Sequence, residues 1–229
     1  AISGFIEAAL NVVAPLMLDI AQDLSTSVPL VGQLAAITTL SWGLFALVTG
    51  PVADRYGRLP IVIFGLVCAG VGCFISAFAW DYSSILISRA IFGLGCAAVG
   101  PVSWAAIGDH FPLQERGRAF SVVFIGLVLG NVVLVPLLAA EAQVLGWRAP
   151  FLTAGGLVLL GALAAPHLLS RERPIALDIS LGERVFGVAR APGAVPFLLA
   201  NTLSQMSYFM AMTYLPAFLM LSYRLTVGE

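Results

Sequence analysis

The placement of charge constrains this chain more than any other feature. Uncharged runs cover residues 24–53, 59–80, 90–108, 119–140, 149–170 and 191–223, and a further run, 8–18, extends an apolar start broken only by Glu7. An ionised side chain at the centre of a bilayer costs roughly 2.5 to 3.5 kcal/mol on insertion scales, so gaps in charge mark where lipid can be the solvent. Most of the runs reach the ~20 helical residues that cross a hydrocarbon core of ~30 Å. Across all 229 residues, 60% are apolar or aromatic and 10% are charged, and the mean hydropathy is +1.00. A soluble domain carries roughly 25% charge, so a soluble globular reading is excluded. A net charge of −1 excludes a disordered chain, a basic nucleic-acid binder and an acidic tail. The expected partner is a lipid bilayer, and nucleic acid is not one.

Strands do not fit, because membrane barrels alternate apolar and polar residues over about ten positions, whereas 61–67 and 122–129 are apolar on every face. The sequence therefore predicts an all-α membrane protein with seven spans. Ala1 opens with the first helix under way, without a basic n-region or small-residue cleavage site, so 2–18 is expected to be a membrane helix with its N-terminus trimmed, not a signal peptide.

All eleven basic residues are Arg, and eight of them, including Arg55, Arg58, Arg116 and Arg118, fall in loops after even-numbered spans. The positive-inside rule then starts the first helix in the cytoplasm, as a multi-pass protein of the inner (plasma) membrane. Cys68, Cys73 and Cys96 lie in apolar surroundings without Cys-x-x-Cys spacing and read as packing residues. The one long polar stretch divides the chain into a six-helix bundle (1–170), a cytoplasmic linker (171–191) and the first helix of a further bundle (192–229).

Laid on itself, the chain echoes at an offset of 90 residues: Arg58, Pro60, Gly65 and Val67 recur as Arg148, Pro150, Gly155 and Leu157. Each set leads from a short loop into a helix. A three-helix repeat unit forces the second copy to sit inverted, an architecture of secondary transporters.

The loop after the second span reads Gly50-Pro51-Val52-Ala53-Asp54-Arg55-Tyr56-Gly57-Arg58. It resembles the signature of the major facilitator superfamily, a Gly followed by Asp-Arg-x-Gly-Arg. Arg89 with Gly93 and Gly95, Asp109-His110-Phe111-Pro112, Glu115-Arg116-Gly117-Arg118-Ala119 and Gly146-Trp147-Arg148 agree in order and spacing. The resemblance implies two six-helix halves around a cavity, with this chain supplying one half, a linker and one more helix. The missing C-terminal half is then an expected partner, in the same chain or another.

In physical terms, Gly50 is expected at a close helix approach and Gly57 at a tight turn. Asp54 can accept from free N–H groups at a helix N-terminus, and Arg58 can bridge Asp54 to Asp109. The resemblance implies that this cluster, with Arg55 and Arg116, latches the cytoplasmic side. The alternative is that these are topogenic charges holding a loop in water. Leu59 stands where the family usually carries a second basic residue.

Glu7 and Arg89 are the clearest ionisable residues within spans, and intramembrane charge points to function by default. Glu7, Asn11 and Pro15, spaced by four, share one helix face. This resembles the acidic residue and Asn of proton-coupled family members, with Glu7 as proton carrier; the alternative is a solvated group near the interface. In the seventh span Asn201, Ser204, Gln205, Tyr208 and Met212 form a second polar stripe expected to line the cavity. Met206 and Met210 could bind Cu(I), as in copper importers of the superfamily, but they project opposite that stripe, which favours packing; no metal is assigned.

In the fifth span the family's antiporter signature is largely missing: Gly126, Gly130, Asn131 and Pro136 remain, with Leu138 and Ala139 in place of later glycines. Efflux is therefore not favoured over proton-coupled uptake. His110 and His167 are isolated, no nucleophile set or nucleotide loop is present, and neither enzymatic activity nor a cofactor is expected. The leading reading is a secondary active transporter of a small-molecule organic solute, coupled to protons; the alternatives are a transporter-like accessory or assembly subunit and a copper importer.

Overall fold

The computed structural model describes residues 2–168, 190–197, 199–204 and 207, with the side chains at 2, 106, 109, 110 and 168 outside that description. The chain divides into two compact units, Ala1–Leu177 and Asp178–Glu229. In the first, helices α1 (Ile2–Asn11), α2 (Met17–Asp23), α3 (Val28–Tyr56), α4 (Arg58–Ala77), α5 (Tyr82–His110) and α6 (Leu113–Leu129) are followed by a π-helical turn (Gly130–Leu134), α7 (Val135–Leu145) and α8 (Ala149–Leu168). The described residues contain no strand. In the second unit residues 194–197, 199–204 and 207 are helical. The expected linker falls almost wholly outside the described residues, as does most of the seventh span.

Among the described residues, five stretches are long and apolar enough to cross a membrane: Val28–Tyr56, Arg58–Ala77, Tyr82–Ala105, Leu113–Leu145 and Ala149–His167. The expected first span corrects the sequence reading. It is not one helix but two, α1 and α2, separated by a turn over residues 12–16.

Helix starts follow local chemistry. α3 carries Pro in its first turn, where the missing N–H would have had no helical partner. α5 opens on a capping box in which the Ser84 N–H donates to Asp81 Oδ1 at 2.8 Å and the Asp81 N–H donates to Ser84 Oγ at 3.2 Å. Two turns are made by glycine in a backbone region that side chains essentially exclude: Gly57 between α3 and α4 (φ 90°, ψ 154°) and Gly146 between α7 and α8 (φ 84°, ψ 163°). Gly57 precedes Arg58 directly, whereas Trp147 separates Gly146 from Arg148. The two repeats thus turn the same way at corresponding points.

α5 packs along α3 and α4, and α4 packs along α8. Without water to drive them together, membrane helices associate through close packing and hydrogen bonds. A row of hydroxyls on α3 supplies the latter: Thr38, Ser41 and Thr49 donate to the α5 carbonyls of Arg89 (3.3 Å), Ala90 (2.7 Å) and Ala97 (2.8 Å). Ser76 of α4 and Ser88 of α5 join hydroxyl to hydroxyl at 2.7 Å.

Candidate functional site

The break in the first span begins with Pro15. Proline has no N–H to give the Asn11 carbonyl, and its ring crowds that carbonyl. The chain instead passes through tight contacts, the Ala14 N–H to the Asn11 carbonyl at 3.2 Å and the Leu16 N–H to the Val13 carbonyl at 3.1 Å. Carbonyls at the end of α1 are thereby left for other partners.

Arg89 reaches them from α5. Both terminal nitrogens donate to the Ala9 carbonyl at 3.4 Å, and one also approaches the Leu10 carbonyl at 3.5 Å. The guanidinium carbon lies 4.3 Å from the centre of the Phe92 ring, and the side chain is 1% exposed. A cation at a helix C-terminus meets the negative end of the helix dipole, and the ring face adds a further favourable contact. A buried charge is thus held by backbone and aromatic groups. Its Nε has no hydrogen-bond partner among the described residues. Arg89, read from the sequence as an ionisable residue within a span, sits in the packed core of this unit with its guanidinium at the end of α1.

Glu7 and Asn11 do share a face of α1, and Asn11 Nδ2 donates to Glu7 Oε1 at 3.3 Å. The same nitrogen donates to Asn131 Oδ1 at 2.7 Å, and Asn131 Nδ2 donates to the Leu127 carbonyl at 3.3 Å. All three residues are half-buried. Asn131 lies on the π-helical turn, just ahead of Pro136. Pro136 can neither donate to the Val132 carbonyl nor avoid crowding it, and widening the helix by one residue relieves both problems. A close crossing brings this turn to α1: a Cβ on Gly4 would strike the Gly126 carbonyl, and one on Gly130 would strike the Gly4 backbone. Sequence reasoning named Asn131 only as part of a helix-five motif. Its partner is 120 residues away, beyond the reach of periodicity; the nearby Pro136 was the available signal.

At the loop after α3, Gly57 makes the expected turn, and among the described residues nothing lies within 4 Å of the position a Cβ on Gly50 would occupy. Arg55 is exposed, 5.6 Å from the Tyr56 ring. Asp54 and Arg58 are half-buried and both are engaged. The Asp109 side chain lies outside the described residues, and with it the expected bridge. Arg116 caps α5, donating to the carbonyls of Gly108 at 2.6 Å and Phe111 at 3.0 Å. A second charged cluster, at the opposite end of the bundle, joins Asp23, Trp147 and Arg148; the sequence signalled it through the repeat of Arg58 as Arg148 and through the Gly146-Trp147-Arg148 motif, with Asp23 unmarked. Asn201 is helical and exposed in the second unit. Gln205, Met206, Tyr208 and Met210 lie outside the described residues.

A broken first helix, a buried arginine on its open carbonyls and a repeated glycine turn make a combination that can be compared with known proteins. Residues 1–228 match the family described as the Major Facilitator Superfamily. The chain belongs to that family. It is a family of multi-pass membrane transporters and not of enzymes. A probable L-galactonate transporter of Escherichia coli (strain K12) is 30% identical over 156 residues, covering 68% of this chain and 34% of its own length. The MFS-type transporter YceJ of Bacillus subtilis (strain 168) is 27% identical over 220 residues, covering 94% of this chain and 56% of its own. The solved structure of the proton:xylose symporter XylE shares the fold, with a TM-score of 0.64 at 16% identity over 74% of this chain and 43% of that one. The chain thus spans between about a third and just over half of the length of these relatives.

Proposed function

We propose that this chain belongs to a secondary active transporter that moves a small organic solute by alternating access, with a proton carried on Glu7. The observation that carries the reading is the Glu7–Asn11–Asn131 cluster, an ionisable group and two amides gathered where one span is broken and another is widened. Interrupted helices near the middle of a membrane are where transporters build binding and coupling sites. Relatives named for L-galactonate and for proton:xylose symport support a hydroxylated solute, a sugar or sugar acid.

Asn201, Gln205 and Tyr208 complete the cavity from the second half in this proposal, and Asp54, Arg58, Asp109 and Arg116 form the latch at the Gly57 end. That end faces the cytoplasm of a plasma-membrane protein, as the excess of Arg there supports. α3 and α6 through α7 keep many large apolar side chains exposed, among them Leu40, Leu44, Leu47, Val122 and Ile125; they are the faces on which the second half of the carrier seats.

The test is transport by the full chain in proteoliposomes, with an imposed pH gradient and labelled sugars and sugar acids. Accumulation driven by the gradient is expected, and Glu7→Gln should abolish it while leaving solute binding, because the amide keeps a hydrogen bond but cannot titrate. Accumulation in Glu7→Gln equal to that of the parent would remove Glu7 from the coupling.

A further inference from the structure

We infer that Asn131 is a positioning residue through which the protonation state of Glu7 sets the geometry of the π-helical turn. The inference rests on the reading of Glu7 as the proton carrier, and adds to it a path by which that proton is felt on another helix. The path is a chain of hydrogen bonds centred on Asn11, which donates to both sides. Asn11 Nδ2 donates both to Glu7 Oε1, at 3.3 Å, and to Asn131 Oδ1, at 2.7 Å; Asn131 Nδ2 in turn donates to the Leu127 carbonyl, at 3.3 Å. Each amide is oriented by the other, since a flip of either would set nitrogen against nitrogen or oxygen against oxygen.

Asn11 has two N–H groups on that nitrogen, and an ionised Glu7 is the stronger acceptor for one of them. A proton arriving from water adds to a carboxylate oxygen of Glu7, and no covalent bond within the protein breaks. The carboxyl then becomes a donor with a weaker remaining acceptor, and it can itself give a hydrogen bond to Asn11. The Asn11 amide is no longer held by a charge, and with it goes the orientation of Asn131. What Asn131 holds is a turn with spare conformational freedom, because a π-helical turn can return to α-helical pairing by a shift of one residue.

The close crossing makes the link short. With Gly4, Gly126 and Gly130 bare at the contact, α1 and the turn meet backbone to backbone, so a change in the amide pair has no intervening side chains to absorb it. The other groups around α1 that bear on Glu7 are few. α5 offers Arg89, committed to the Ala9 and Leu10 carbonyls, and the buried Cys96. On α6 the charged residues Glu115, Arg116 and Arg118 lie at the start of the helix, on α7 Glu141 is bonded by Thr153, and on α8 His167 lies in the last turn.

The experiment is hydrogen exchange of residues 127–135 in the purified full chain in nanodiscs, normalised to the unstructured rate. Glu7→Gln should exchange faster there by on the order of fivefold, the size set by exchanging a charge-assisted hydrogen bond for a neutral one. Asn131→Leu should do the same, and so should Asn11→Ser, which cuts the chain from the α1 side and leaves the sequence of the turn unchanged. The double variant Glu7→Gln, Asn131→Leu should be no faster than either single one. In the parent, protection should fall on acidification, and in Glu7→Gln it should not.

Exchange in Glu7→Gln equal to the parent, or a double variant whose increase is the product of the two singles, overturns the relay. Should Glu7→Gln lose pH-driven accumulation with exchange unchanged, the relay fails and the transport reading stands. Should it keep accumulation while exchange rises without additivity, the proton reading alone fails and the hydrogen-bond chain stands.

Discussion

Arg148 donates to Asp23 Oδ2 at 2.5 Å, and the neighbouring Trp147 indole N–H donates to the same oxygen at 3.2 Å. Arg148 also donates to the Ala79 carbonyl at 3.0 Å and lies 4.3 Å from the Trp147 ring centre. Three contacts thus tie the end of α2 and the loop after α4 to the start of α8, and the Trp147 ring steadies Arg148. Both charged side chains are more than two-fifths exposed, so the ion pair alone is worth about 1 kcal/mol or less. Asp23→Asn should lower stability by no more than that, with the loss shrinking at high salt. Arg148→Ala, which also gives up a backbone carbonyl and a ring contact, should cost about 2 kcal/mol. Unfolding in mixed micelles checks both, and a larger loss in Asp23→Asn than in Arg148→Ala would show that the carboxylate has a partner besides these.

Arg89→Met should destabilise the bundle by about 3 kcal/mol, because it keeps an apolar stem of similar length and leaves two buried carbonyls without their donor. Arg89→Lys should recover part of the loss, since one ammonium cannot copy the reach of the guanidinium fork. The same unfolding measurement decides; a neutral Arg89→Met would mean that the Ala9 and Leu10 carbonyls find partners within their own helix.

Pro15→Ala should join α1 to α2. The Val13 and Ala14 N–H groups would then pair with the carbonyls Arg89 now holds, and their hydrogen exchange should slow. Unchanged exchange at those two amides would place the cause of the break in packing and not in the proline.

Gly57→Ala and Gly146→Ala should each cost about 1–3 kcal/mol, because both turns use dihedrals that a Cβ disfavours. Similar losses are expected, since φ differs by only 6° between 90° and 84°. A loss at one turn alone would show that the other can relax into an ordinary cap.

The spans from the second to the sixth were legible because charge marks their ends and lipid forbids it between them. Gly57 could be read as a turn since glycine has few other reasons to stand between two apolar runs. The broken first span was harder: Pro15 was visible, but whether a proline bends or interrupts a helix depends on what can receive the freed carbonyls. Here that is Arg89, far along the chain. Asn131 escaped for a related reason, as its meaning lies in a helix crossing set by Gly4, Gly126 and Gly130, and pairs of glycines on separate spans carry no signal of meeting. For Gly50, the close approach expected of it has no counterpart among the described residues.

The interruption at residues 12–16 gives the first span a joint with independent moorings on either side. The first rod, α1, is fastened by the glycine crossing and by Arg89, and the second, α2, by Asp23 to Trp147 and Arg148. A continuous helix must break backbone hydrogen bonds to bend, whereas at this joint several are already unmade and compensated in place. α2 can tilt without that cost as far as its moorings allow, which makes the Asp23 contacts and its packing on α3, and not the stiffness of the helix, what sets how readily it moves.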